Sequence, residues 1–236
     1  MTPYNLMKKN GTAAYLNTGT WSRKAILEAQ RFGHVDVIAD SSDKNFNYIP
    51  KDYIIDNNYD YFHCTSNNTI YGTQIKKFPK CPTLMVCDMS SDIFSRKIDV
   101  KNFDLIYAGA QKNMGPAGTT LVIIKNDILQ NIPEDVPTML NYNTHVKKQS
   151  MFNTPPVFAI YVSMLTLEWL KSLGGIDYIE KLNHTKAQLL YNEIDRNSCF
   201  KGSANIEDRS DMNVTFLLKD KKKEKEFDKL WEYQGI

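Results

Sequence analysis

Two short stretches bring together residue types that could do chemistry. The first is Thr83 to Asp92, TLMVCDMSSD, where an apolar run ends in an acid and then a polar turn. In α/β sheets ligands bind beyond the carboxyl ends of the strands. An Asp at such an end is costly to bury unless a cation or strong donors pair with it. A protonated pyridine nitrogen is one such cation; Asp88 would keep it charged, and the ring would then serve as an electron sink. The plainer alternative is that Asp88 caps the turn that follows it. The second stretch is Tyr107 to Gly118, YAGAQKNMGPAG. It places Lys112 among small residues that let a backbone approach a ligand closely. A partly buried lysine has its ammonium form disfavoured, which frees the amine to attack a carbonyl. The plainer alternative is an exposed loop lysine.

These stretches need a scaffold, and the sequence alternates helical patterns with short β-rich runs, which suggests an α/β fold. The β-rich runs are Val35–Ala39, Tyr61–Cys64, Thr83–Cys87, Leu105–Ala108 and Thr120–Ile124, with a further alternating run over Met212–Leu218. Several are continuously apolar, as strands covered on both faces are. Trp21 to Phe32 reads as a helix with Ser22 as its N-cap and Gly33 as its stop. Val157 to Leu173 reads as a long apolar helix, with Thr154 at the N-cap and Pro155 at the first helical position. Gly174 and Gly175 interrupt it, a more polar helix follows over Ile176–Arg196, and Lys221–Tyr233 reads as an amphipathic helix. The break at Gly174 divides a large domain, 1–173, from the start of a small one, 174–236.

Composition narrows the setting. The chain has 236 residues, 42% apolar and 24% charged, with a net charge of +2. No apolar run approaches the roughly 20 residues of a membrane helix. MTPYNLMKKN lacks an apolar signal core. The basic run Lys219 to Lys225 contains Asp220 and Glu224 and reads as a solvated helix start rather than a nucleic-acid arm. Cys64, Cys81, Cys87 and Cys199 form no CxxC pair, and no His stands at zinc-ligand spacing from them. The expectation is therefore a cytoplasmic protein with no metal, no membrane and no nucleic-acid partner.

Several longer strings add a resemblance. CDMSSDIFSRKIDV and IYAGAQKNMGPAGTTLVII resemble the cofactor-binding core of the phosphoserine aminotransferases, which have fold type I of the pyridoxal-phosphate enzymes. SMFNTPPVFAIYVSMLTLEWLKSLGG, NNTIYG and NTGTWSRKAILEA resemble further segments of that family in the right order, so the resemblance spans nearly the whole chain. It implies a mainly parallel sheet flanked by helices, followed by part of a small α+β domain, and pyridoxal 5′-phosphate as cofactor. Lys112 would bind the cofactor covalently and move a proton at the substrate Cα. Asp88 would bind the pyridine nitrogen, Thr69 the ring hydroxyl side and Gln111 the phosphate, while Trp21 would stack on the ring. Asn153 and Thr154 would reach the phosphate of a partner subunit's cofactor in a homodimer. A helix start suits an anion there.

The implied reaction is amino transfer between phosphoserine and 3-phosphohydroxypyruvate, with glutamate and 2-oxoglutarate as the other pair. A phosphohydroxythreonine of pyridoxine synthesis is a further substrate of some members. Relative to the family pattern, the Gly-rich phosphate loop and the substrate-binding Arg and His residues fall outside Met1 to Ile236. The expectation is a chain shortened at both ends, weakly active or inactive alone. An inert remnant of the fold is the alternative reading.

Overall fold

The computed structural model describes residues 1–235. A short helix α1 (Thr2–Leu6) leads into strand β1 (Thr12–Asn17), helix α2 (Thr20–Ala29) and strand β2 (His34–Asp40). Strand β3 (Tyr61–Thr65) follows, then a two-residue ribbon, β4 (Asn67–Asn68) against β5 (Thr73–Gln74). Strands β6 (Met85–Asp88), β7 (Leu105–Gly109) and β8 (Thr120–Ile124) complete the main sheet. Short helices α3 (Asn126–Leu129) and α4 (Tyr142–Lys147) precede the long pair α5 (Val157–Ser172) and α6 (Gly175–Arg196). A hairpin of β9 (Phe200–Gly202) and β10 (Phe216–Leu218) and a final helix α7 (Glu224–Tyr233) end the described chain.

The sheet order is β2-β1-β3-β6-β7-β8. The first five strands run parallel and β8 pairs antiparallel with β7 at the edge. Parallel strands need cover on both faces, and here each face has its own core. One is built on Leu16, Phe62, Cys64, Met85, Cys87 and Ile106, the other on Tyr15, Ile26, Tyr61, Val86 and Leu105. The alternation of side chains along a strand therefore sends Cys64 and Cys87 to one side. Their neighbours His63, Val86 and Asp88 go to the other.

Most expected elements are present with shifted ends. Strand β1 was not expected: Ala13 and Ala14 are weak β-formers, yet they lie fully buried between β2 and β3. The run expected from Thr83 begins as strand only at Met85, because the Thr83 hydroxyl turns aside to the Tyr59 carbonyl (2.6 Å). The alternation over Met212–Leu218 yields strand only at Phe216–Leu218. Before it, Met212 and Asn213 give their N–H groups to the Ser210 hydroxyl instead. Ser22 is not the N-cap of α2; Gly19 is, and the Ser22 hydroxyl accepts from the N–H groups of Thr18 and Gly19, both at 2.9 Å. Thr154 is not the N-cap of α5 either. That helix begins after Pro156, since a residue that precedes proline is kept out of helical geometry.

Helices α5 and α6 meet at 84° across Leu173 and Gly174, the latter at φ 107°, a left-handed geometry that suits glycine. After α6 and β9 the chain returns to the main sheet's side. Asn205 N–H binds the Asn47 carbonyl (2.7 Å), Asp208 accepts from Ile49 N–H (3.0 Å), and Ser210 N–H binds the Gly72 carbonyl (2.8 Å). Among the described residues no single helix is long and apolar enough to cross a membrane. No group of three His, Cys, Asp or Glu among them could hold a metal.

Candidate functional site

A cleft of about 110 Å³ opens at the carboxyl ends of β3 and β6, lined by Trp21, Thr65, Asn67, Asp88, Gln111 and Lys112 together with Ser90 and Ser91. Asp88 is the last residue of β6, and its Oδ1 accepts from Ser90 N–H (2.9 Å) and the Ser90 hydroxyl (2.6 Å). The capping reading of Asp88 is thus true of this structure, and it leaves Oδ2 without a donor among the described residues. The Ser90 hydroxyl also accepts from Gly109 N–H (3.1 Å), which fastens the Asp88 turn to the start of the lysine loop.

Lys112 stands in a helical turn after β7, closed by hydrogen bonds from Met114 and Gly115 N–H to the Ala110 carbonyl. Small residues are needed there. A β-carbon on Gly115 would lie 2.6 Å from Ser163 Oγ and 3.1 Å from Ser163 Cα, so the loop could not seat against α5. Lys112 is exposed rather than partly buried, because the turn points its side chain across the cleft mouth. Its Nζ donates to Thr69 Oγ1 (2.9 Å) and lies 5.4 Å from the centre of the Trp21 ring. Trp21 presents an open face, with 42% of its surface exposed.

The walls are held by three consecutive buried polar residues. The Ser66 hydroxyl binds Asp92. Asn67 gives its amide to Ser91 Oγ (2.8 Å) and Asn213 Oδ1 (2.7 Å). Asn68 accepts from the Thr18 hydroxyl (3.2 Å), steadying the loop that carries Trp21. Asp92 in turn receives Gln74 Nε2 (3.1 Å) and Arg96 Nη2 (3.3 Å). Burial pushes the Asp92 carboxyl above its ordinary range, with Arg96 the chief opposing influence.

Five of the seven residues singled out from sequence, Trp21, Thr69, Asp88, Gln111 and Lys112, are gathered at this cleft. Asn153 and Thr154 are not. Both are exposed on the approach to α5, where Asn153 Nδ2 contacts Met139 Sδ (3.2 Å), and α5 has no side-chain cap. Sequence reading missed Ser90, Thr65 and Asn67. The Asp-x-Ser spacing was a usable signal for Ser90, since it is the pattern of an Asx turn. Nothing local marks Asn67, whose partners lie up to 146 residues away.

The class-V aminotransferase family model matches residues 1–236. Over all 236 residues the chain is 63% identical to the phosphoserine aminotransferase of Flavobacterium psychrophilum and 61% identical to that of Flavobacterium johnsoniae. It spans 66% of the length of each of these curated relatives. Among solved structures it resembles the phosphoserine aminotransferase from Bacillus circulans subsp. alkalophilus, with a TM-score of 0.96 and 43% identity, covering 99% of this chain and 66% of that one. It also resembles the pyridoxal-phosphate-bound phosphoserine aminotransferase from Trichomonas vaginalis, with a TM-score of 0.91 and 32% identity, covering 98% of this chain and 68% of that one.

Proposed function

The chain belongs to the class-V aminotransferase family, and on that premise we propose that it holds pyridoxal 5′-phosphate through Lys112. Its reaction is amino transfer between phosphoserine and 3-phosphohydroxypyruvate, with glutamate and 2-oxoglutarate as the other pair. One observation carries the cofactor reading. A lysine amine, a strand-end carboxylate with a free oxygen, a hydroxyl and an open indole face meet around one cleft. That donor set suits a flat, cationic ring bearing a carbonyl and a hydroxyl. The substrate class rests on the two curated relatives above, both phosphoserine aminotransferases, at 61% and 63% identity.

When bound, the cofactor supplies an electron sink for charge developing at the substrate Cα. The chain's own residues do the rest. Lys112 Nζ is the nucleophile for attachment and, once released, the base that moves the Cα proton. Asp88 keeps the ring nitrogen protonated, with Ser90 fixing its other oxygen. Trp21 holds the ring by its face, Thr69 bonds the ring hydroxyl, and Gln111 contacts the phosphate. Thr69 already holds Lys112 Nζ, so the hydroxyl also keeps the amine over the cleft.

Asn153 and Thr154 complete the phosphate site of a partner subunit in a homodimer. What supports this is the apolar surface of α5 beside them: Val157, Phe158, Ile160, Tyr161 and Trp169 are all exposed, as residues meant for another protein surface are. A two-fold interface would then give each protomer a part in both sites. The inert-remnant alternative is not favoured, because the attachment lysine, its partner hydroxyl and the ring-binding acid remain in register.

Turnover tests the reading. Glutamate formation from phosphoserine and 2-oxoglutarate is expected of the protein that carries this chain, and it should vanish on Lys112→Ala. Transfer from alanine or unphosphorylated serine, with phosphoserine inert, would move the substrate class elsewhere in the family.

A further inference from the structure

Behind Asp88 lies a group of buried polar side chains that the transfer chemistry leaves unused. β3 and β6 pair Thr65 with Asp88 and His63 with Val86, and β6 and β7 pair Asp88 with Tyr107. Alternate residues share a face, so His63 sits one side-chain step before Asp88 on the same side of the sheet. Its ring is 1% exposed and stacks on Tyr15 with centroids 4.6 Å apart. Its Nε2 is 2.9 Å from the Tyr107 hydroxyl. Because β6 runs between β3 and β7, that hydrogen bond crosses β6 at the level of Val86 and Asp88, forming a floor under the carboxylate.

His63 Nδ1 is buried and has no partner among the described residues. A buried polar nitrogen left unpaired bears the full cost of its lost hydration. Burial holds the Tyr107 hydroxyl well above its ordinary range, so it keeps its proton, and since Nε2 is its one acceptor among the described residues it donates there. Burial also lowers the imidazole to about 4, with the Asp88 carboxylate opposing. The ring is therefore neutral at pH 7, and with Nε2 accepting, its one proton is on Nδ1.

We propose that His63 is a positioning residue for Asp88: its Nδ1–H, which has no protein acceptor among the described residues, donates through one water to the Asp88 carboxylate and fixes that carboxylate toward the cation it faces. Ser90 holds the carboxylate from the turn side, and His63 supports it from the sheet. The identity of the cation rests on the function proposed above; the His63–Asp88 bond does not.

The imidazole nitrogen-15 spectrum of the cofactor-free chain is the first test. It should show the Nδ1–H tautomer, and Asp88→Ala should displace the Nδ1 resonance. An Nε2–H tautomer, or an Nδ1 signal indifferent to Asp88→Ala, overturns the proposal. The second test is pyridoxal phosphate binding to two variants. His63→Asn keeps a donor near the Nδ1 position, whereas His63→Gln keeps one only near Nε2. The dissociation constant should rise about tenfold in His63→Gln and stay within about threefold in His63→Asn, one charge-assisted hydrogen bond being at stake. The ring-nitrogen signal of labelled cofactor should move toward the unprotonated position in His63→Gln alone. Equal behaviour of the two variants overturns the proposal. A variant that fails to fold leaves the decision to the imidazole spectrum. If the unsubstituted chain takes no cofactor on Lys112, the proposed function fails while that spectrum still judges the bond.

Discussion

The wall from Thr65 to Gln74 and the approach to α5 from Met151 to Pro156 are both proposed to serve a cofactor, and they are built in opposite ways. In the wall, Ser66, Asn67, Asn68 and Gln74 are buried and each is hydrogen-bonded to a distant part of the chain, Ser66 and Gln74 both to Asp92. In the approach, Met151, Phe152, Asn153 and Thr154 are exposed, and no side chain caps the helix that follows. The first region is preorganised by its own protomer, because buried polar groups left unpaired would be costly. On the homodimer reading proposed above, the second would have its geometry set by the partner's surface. A site shared across a two-fold axis would have this division, with a rigid half that holds the ring and an adaptable half that reaches over.

The contrast can be broken by substitution. Asp88→Ala should have the largest effect, since it strips a charge partner from a ring cation, and truncating such a pair costs about 2–5 kcal/mol in affinity. Cofactor titration followed by absorbance measures it; an unchanged affinity and spectrum would show that Asp88 only caps its turn. Acid should come next, and it acts on the wall's side of the molecule. Burial lowers His63 to about 4, whereas an unfolded imidazole takes its proton near pH 6.5. Between those values the unfolded chain binds more protons, so stability rises with pH and is lost as pH falls through the window, by up to about 3 kcal/mol. Asp92, raised by burial, works in the opposite sense. Urea unfolding at pH 7 and 4.5 should therefore be compared between the native chain and His63→Gln. An equal acid loss in both contradicts the assignment to His63.

Smaller effects sharpen the comparison. Trp21→Leu should weaken cofactor binding by about 1 kcal/mol beyond the lost area, as aromatic stacking does, with stability nearly unchanged because the ring is 42% exposed. Asn153→Ala with Thr154→Ala should alter the stability of the chain by less than about 0.5 kcal/mol, as exposed substitutions do. Their effect should emerge only between chains. Mixing them with Lys112→Ala chains should yield mixed dimers with one undamaged site, detectable as recovered cofactor binding. A strictly monomeric chain that binds cofactor normally would end the shared-site reading.

Much of this was legible beforehand, and for identifiable reasons. Asp88 and Lys112 stand at the ends of central strands whose apolar runs are unmistakable, and the glycines and alanines around Lys112 mark a loop under close contact. Trp21 and Thr69 were reachable only through resemblance, because a lone aromatic at a helix start and a threonine in a turn have many uses. The wall was not legible. Asn67 and Asn68 entered only within the NNTIYG string and Ser66 not at all, and their burial follows from Asp92, Asn213 and Thr18 closing over them from distant parts of the chain. The failed N-cap at Thr154 has a local cause, since the second of two prolines delayed the helix.

Borohydride capture tests the role of Lys112 most directly. The folded chain is incubated with pyridoxal phosphate, reduced and digested, and the labelled peptide is sequenced. The label is expected on Lys112, within AGAQKNMGPAG, and should be absent from a Lys112→Ala chain. A label on another lysine, such as Lys24 beside Trp21, with Lys112 clean, would contradict the assignment.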